Sequence, residues 1–194
     1  MNIHQLSVNY IQDQDRILAR INTTAGEELR LWFTRRLTLG LMPALRRVVA
    51  THVAKMEAIQ SPHISPTAAA DAQTQQMLSD FKKEESLQKS DFKTPFKAEA
   101  STLPLGAEPL LVTEININPL SNGQLQLAFN EKIAGHEKTR GFQMGLEQNL
   151  LHGFLHLLEK AVSQSQWAGD AQQSGVEKLP GEAENSVDKP KYLN

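Results

Sequence analysis

Arg20, Arg30, Trp32 and Arg36 are the residues of this chain best suited to grip a ligand. Guanidinium groups meet phosphate through a planar fork of donors, and an indole offers a flat surface on which a base can stack. If Ile17, Ile21, Leu29, Leu31 and Phe33 face inward, then Arg20, Arg30 and Trp32 share the solvent side, next to Arg36. Charge is biased the same way: residues 1–55 hold eight Lys or Arg against four acids, Asp13, Asp15, Glu27 and Glu28. The chemistry implied is binding of single-stranded nucleic acid or RNA. The plainer alternative is a solvated face with ordinary ion pairs and a tryptophan covered by the chain.

His152 and His156 stand four apart, a spacing that can hold zinc or nickel on a helix, with His136 as a third ligand. The segment His152-Gly153-Phe154-Leu155-His156 lacks the Glu that follows the first His in zinc peptidases. Both positions fall away from the apolar stripe, which reads as two exposed histidines and no metal site. Catalysis has no support either. There is no phosphate-cradling glycine loop, dinucleotide fingerprint or nucleophile elbow. The acids lie mainly in turns, linker and tail. The expectation is a non-enzymatic protein without a cofactor.

The elements that must position these residues occur twice. Leu29, Leu31, Phe33 and Leu37 align with Phe142, Met144, Leu146 and Leu150 at a constant spacing of 113 residues. The same spacing carries Gly40 onto Gly153, Leu41 onto Phe154, Leu45 onto Leu158 and Val49 onto Val162 without a gap. Ahead of each aligned stretch lie two period-two strands. In the first copy they run through Leu6, Val8 and Tyr10, and through Ile17, Ala19 and Ile21. In the second they run through Leu111, Ile115 and Ile117, and through Leu125, Leu127, Phe129 and Ile133. A helical period follows in each: from about Leu37, with Thr38 as cap, and from Leu150 to near Trp167. Pro43 predicts a kink in the first helix or a start near Met42.

The organisation expected is therefore a first strand-strand-strand-helix repeat over 1–56 and a second over 109–168. Between them lies a linker, 57–108, for which two readings stand: a surface helix near 68–89 on which Met77, Leu78 and Phe81 make a small apolar patch, or a disordered segment. A polar tail, 169–194, reads as disordered. The fold class is α+β. One meander with one helix makes a marginal core, so the two copies are expected to share one core about a pseudo-twofold axis. The matching face of the second copy is neutral, with Gly145 in place of Trp32.

Bulk properties bound the rest. The 194 residues are 40% hydrophobic and 22% charged with net charge −2, so the whole chain makes no electrostatic case for nucleic acid or anionic membrane. There is no cysteine, which removes disulfides and thiol chemistry. No signal-peptide pattern opens the sequence and no apolar run is long enough to span a bilayer, so a cytoplasmic location without membrane attachment is expected.

The duplicated sheet-then-helix plan resembles the Pur-alpha and Whirly class of single-stranded nucleic-acid-binding proteins. The likeness rests on Arg30-Leu31-Trp32-Phe33 and Gln143-Met144-Gly145-Leu146, each leading from a last strand into an amphipathic helix. It covers about two thirds of the chain and departs from those families in showing three strands, not four, before each helix. What it implies is nucleic-acid binding through a sheet face. The rival expectation is a protein-interaction adaptor that holds its partner through the linker, the acidic tail or a sheet edge. A homodimer is compatible with either.

Overall fold

In the computed structural model, residues 2–60, 71–97, 102–133, 135 and 139–167 are described. Residues 61–70 and 98–101 of the expected linker, the candidate ligand His136 and the expected tail 169–194 lie outside them. The protein is α+β, with two sheets and three α-helices among the described residues.

Alternation dictates the first sheet. Strand β1 (Ile3–Ile11) pairs antiparallel with β2 (Arg16–Thr23), placing Val8 opposite Ala19 and Tyr10 opposite Ile17. The turn between them is a short 3-10 segment closed by Asp15 at φ 45°, a left-handed conformation that Asp tolerates better than most residues. Strand β3 (Glu28–Thr34) pairs antiparallel with β2, and Gly26 at φ 77° supplies the positive φ of that turn. Ile17, Ala19, Ile21, Leu29, Leu31 and Phe33 are all buried, as their parity requires.

The period then changes abruptly. Helix α1 (Arg35–Gln60) starts at the residue after β3. Thr34, not Thr38, serves its first turn: the Leu37 N–H donates to Thr34 Oγ1 at 3.3 Å. Thr38 lies inside the helix and its hydroxyl donates to the Thr34 carbonyl. Pro43 neither starts nor breaks α1, which continues through it. Proline removes one N–H and crowds the preceding turn. Here it sits on the exposed side while Met42, Leu45, Val49 and Val53 bury the other face. Apolar burial on both sides of the proline outweighs the lost bond.

Helix α2 (Ala72–Lys89) begins at Asp71, whose carboxylate accepts from the Thr74 N–H at 2.8 Å. It lies across α1 and the last helix. Its buried positions are Ser79 and Ser86, small enough to let the helices approach closely, whereas Met77 and Phe81 point to solvent. Ion pairs hold it: Lys82 to Glu57 at 3.1 Å, and Lys83 to Glu159 at 2.6 Å. Glu159 also accepts from Arg46 at 2.9 Å, so one carboxylate joins all three helices.

The stretch expected as a single strand through Leu111, Ile115 and Ile117 is split. Leu110–Leu111 forms β4, parallel to β3 and part of the first sheet, with Leu31 opposite Leu110 and Trp32 opposite Leu111. The chain then crosses to a second, antiparallel sheet of β5 (Glu114–Pro119), β6 (Leu125–Glu131) and β7 (Arg140–Leu146). Ile133 falls beyond β6 and is exposed. In the β5–β6 turn Gly123 has φ 81°, and a Cβ there would stand 2.8 Å from the Met56 methyl of α1. His52 of α1 bonds the Gly123 carbonyl at 3.0 Å, tying the first helix to the second sheet.

Helix α3 (Gln148–Ser165) follows β7 and packs on β1, the outermost strand of the first sheet. Its C-terminal end is latched there. The Trp167 indole N–H donates to Asp15 Oδ1 at 2.6 Å, Tyr10 donates to the same oxygen, and the two rings meet edge to face. Hydrogen bonds from Trp167 and then Tyr10 hold the Asp15 pKa below its usual value. The two sheets meet through Phe33 and Phe129, with ring centroids 5.9 Å apart.

His152 departs from the sequence expectation. It is fully buried, because α2 covers the face of α3 that the apolar stripe leaves polar. Neither ring nitrogen has a partner among the described residues. Burial first, then the Lys83 ammonium, lowers its pKa from 6.5 to about 4, with Asp80 opposing. The native state therefore takes up this proton less readily than the unfolded chain. The His152 contribution is fully present above pH 6.5 and is lost as pH falls toward 4. Urea unfolding should show a loss of about 1–2 kcal/mol between pH 6.5 and 5. His152→Leu should flatten that slope, and an unchanged slope in the variant would exclude His152 as its source.

Candidate functional site

The first sheet places Arg20, Arg30 and Trp32 on its outer face. Arg20 lies directly opposite Arg30, and Trp32 opposite Leu18 with Leu111 beyond it. Arg36 is exposed on the first turn of α1, off the sheet. Parity thus brings the two sheet arginines together as expected.

Their charge is already engaged. Glu28, on the same face, is 1% exposed and sits between the two guanidinium groups. Arg20 donates to both of its oxygens, Nε at 2.8 Å and Nη2 at 3.0 Å, and Arg30 Nε donates at 2.7 Å. Desolvation pushes the Glu28 pKa up, but the two arginines outweigh it and hold it below the usual carboxylate value. Arg20 is further roofed by Phe96, whose ring centre lies 4.6 Å from its Cζ.

Phe96 belongs to a strap that follows α2. Asp91 shapes its start by accepting from the Lys93 and Thr94 N–H groups and the Thr94 hydroxyl, chiefly the last of which lowers the Asp91 pKa. Farther on, the strap mimics strand pairing through side chains of the sheet. The Lys97 N–H donates to Gln5 Oε1 at 3.0 Å, and Asn22 Nδ2 donates to the Lys97 carbonyl at 2.6 Å. One end of the arginine face is therefore covered by the chain itself.

A different feature comes from the same strap. Between it and α3 runs a cleft of about 610 Å³, floored by six consecutive residues of β1, His4 to Asn9. Strand β1 is the open edge of its sheet. Among the described residues, His4 to Asn9 make no backbone hydrogen bond except those to β2. An edge strand has every second N–H and C=O pair turned outward, unpaired. The α3 wall comprises Asn149, Leu150, Gly153, Phe154, Leu157, Lys160 and Gln164, a helical stripe of period three and four. From the strap, Phe92 packs edge-on against His156, at 5.5 Å between centroids.

Sequence reasoning passed over Phe92 and Lys160 and singled out Gly153 only as the counterpart of Gly40. The strand-edge signal lies in the order of strands, which no periodicity reveals. His156 is half-buried behind Phe92 and His152 is under α2, so they do not form a common site. Among the described residues no group of three or more His, Asp or Glu is placed to hold a metal, and no helix is long and apolar enough to cross a membrane.

Removing one member of a buried charge cluster leaves the others uncompensated. Glu28→Gln should destabilise the fold by about 2 kcal/mol, less than for a sealed pair because both arginines reach solvent. Urea unfolding measures this, and a change near zero would show that solvent already screens the cluster.

No protein-family model matches the chain, and neither a curated protein nor a solved structure is significantly similar to it.

Proposed function

We propose that this is a non-enzymatic, cytoplasmic protein-binding module that takes an extended polypeptide as an added strand on β1. The observation that carries the reading is the cleft along the unpaired β1 edge, with α3 as its opposite wall. Outward N–H and C=O groups at every second residue are complementary to another polypeptide backbone. Apolar side chains on both walls supply the burial that backbone bonding alone does not.

Binding of single-stranded nucleic acid through Arg20, Arg30, Trp32 and Arg36 is the weaker reading. Glu28 engages the two central arginines, and the strap covers Arg20. The proposed Pur-alpha or Whirly kinship leans on the pseudo-twofold duplication. What supports the duplication is position: the spacing of 113 residues carries Arg35, where α1 begins, onto Gln148, where α3 begins. Each helix also touches the other unit's sheet, α1 at Gly123 and α3 at β1.

The test is selection of short random peptides on the immobilised full chain. Peptides that bind are then N-methylated one position at a time. Strand addition predicts loss of binding at alternate positions only, because every second ligand N–H points to β1. Uniform tolerance of methylation would contradict strand addition. Failure to select any peptide, with salt-sensitive retention of oligothymidylate or oligouridylate, would establish the nucleic-acid reading instead.

A further inference from the structure

Gly153 is anomalous for its place. It lies inside α3, where glycine is less favourable than alanine by roughly 1 kcal/mol. Its φ is not positive, so the backbone does not demand glycine. A Cβ built there would meet no heavy atom within 4 Å, so packing does not demand it either. Yet Gly153 faces the cleft rather than open solvent, and apolar side chains frame it: Leu150 and Leu157 one turn to either side, and Phe92 from the strap. Leu150 and Phe92 are 36% and 46% exposed. Gly40 in α1 also has room for a Cβ but is exposed and lines no such cleft, so glycine alone does not make this arrangement.

The charges of the lining are one-sided. Lys93 and Lys160 make no ion pair among the described residues. The one carboxylate of the lining, Asp91, is spent on the Lys93 and Thr94 N–H groups and the Thr94 hydroxyl. The lining therefore carries two ammonium groups without an ion-pair partner among the described residues, together with the apolar Leu150, Leu157 and Phe92.

Building on the strand-addition reading, we infer that the space over Gly153 is a socket for one bulky apolar side chain of an extended, acidic segment of a partner protein. The backbone edge of β1 sets the ligand's extended form, and the recess between Leu150, Leu157 and Phe92 selects the anchor. Lys93 and Lys160 select Asp or Glu on either side of it. A nucleic acid supplies anions but neither the strand backbone nor the apolar anchor.

The experiment uses the full chain and peptides selected on it. The selected sequences should share a Leu, Ile, Phe or Met with acids nearby. Gly153→Leu fills the recess from the helix side without meeting a neighbour at Cβ. It should keep the circular dichroism spectrum and melting temperature of the parent while weakening binding at least tenfold. Gly153→Ala, the milder filling, should weaken binding less and raise the melting temperature. Lys160→Glu should weaken acidic peptides several-fold and improve binding of the same peptides with Lys in place of the acids. Parent-like affinity in Gly153→Leu overturns the socket while leaving strand addition standing. An unaltered preference in Lys160→Glu overturns the acidic assignment. Absence of any peptide ligand for the parent chain overturns both.

Discussion

The seating of α3 against β1 is the contact on which the rest of this structure depends. A three-stranded meander exposes one apolar face, and a single helix covers it incompletely in so short a unit. Here α3 turns Phe154, Leu158 and Ala161 into the common core and brings its C-terminal end to the first sheet. The Trp167–Asp15–Tyr10 latch fixes that end, and Arg35 adds a hydrogen bond to the Trp167 carbonyl at 3.2 Å. Phe33 on Phe129 closes the seam between the sheets. The same seating creates the cleft: while one stripe of α3 is buried, its Leu150, Gly153, Leu157 and Lys160 stripe faces the strand edge.

Two carboxylates each gather a pair of cations. Glu28 gathers Arg20 and Arg30 on the sheet, and Glu159 gathers Arg46 and Lys83 across three helices. In both, bonds to cations outweigh the desolvation of the carboxylate and lower its pKa. Removing one member of such a cluster is costly because it leaves an uncompensated charge. Of the basic residues in the first 55 positions, Arg20, Arg30 and Arg46 are therefore engaged by carboxylates, while Arg36 and Arg47 remain exposed.

Parity and period made much of the architecture legible. Val8, Ile17, Ala19, Leu31 and Phe33 lie where alternation puts them, and a helix follows β3 and β7 as the change of period demands. What failed did so for tertiary reasons. Burial of Met42, Leu45 and Val49 carries α1 through Pro43, so the helix does not start near Met42. Leu110 and Leu111 leave their own meander because β3 offers them a partner. His152, polar-side by helical phase, is buried by α2, a segment far from it in sequence. The shared parity of Arg20 and Arg30 was readable, but their capture by Glu28 was not, since parity sets no side-chain partner. The cleft was least legible of all, because it needs the strand order, the strap and α3 together.

Amide hydrogen exchange along β1 in the free 194-residue chain tests the open edge most directly. The account predicts a period of two between His4 and Asn9: amides turned toward β2 protected, and those between them exchanging at rates close to exposed chain. Uniform protection across these six residues would mean that the edge is already occupied, and the cleft would not be a site for an added strand.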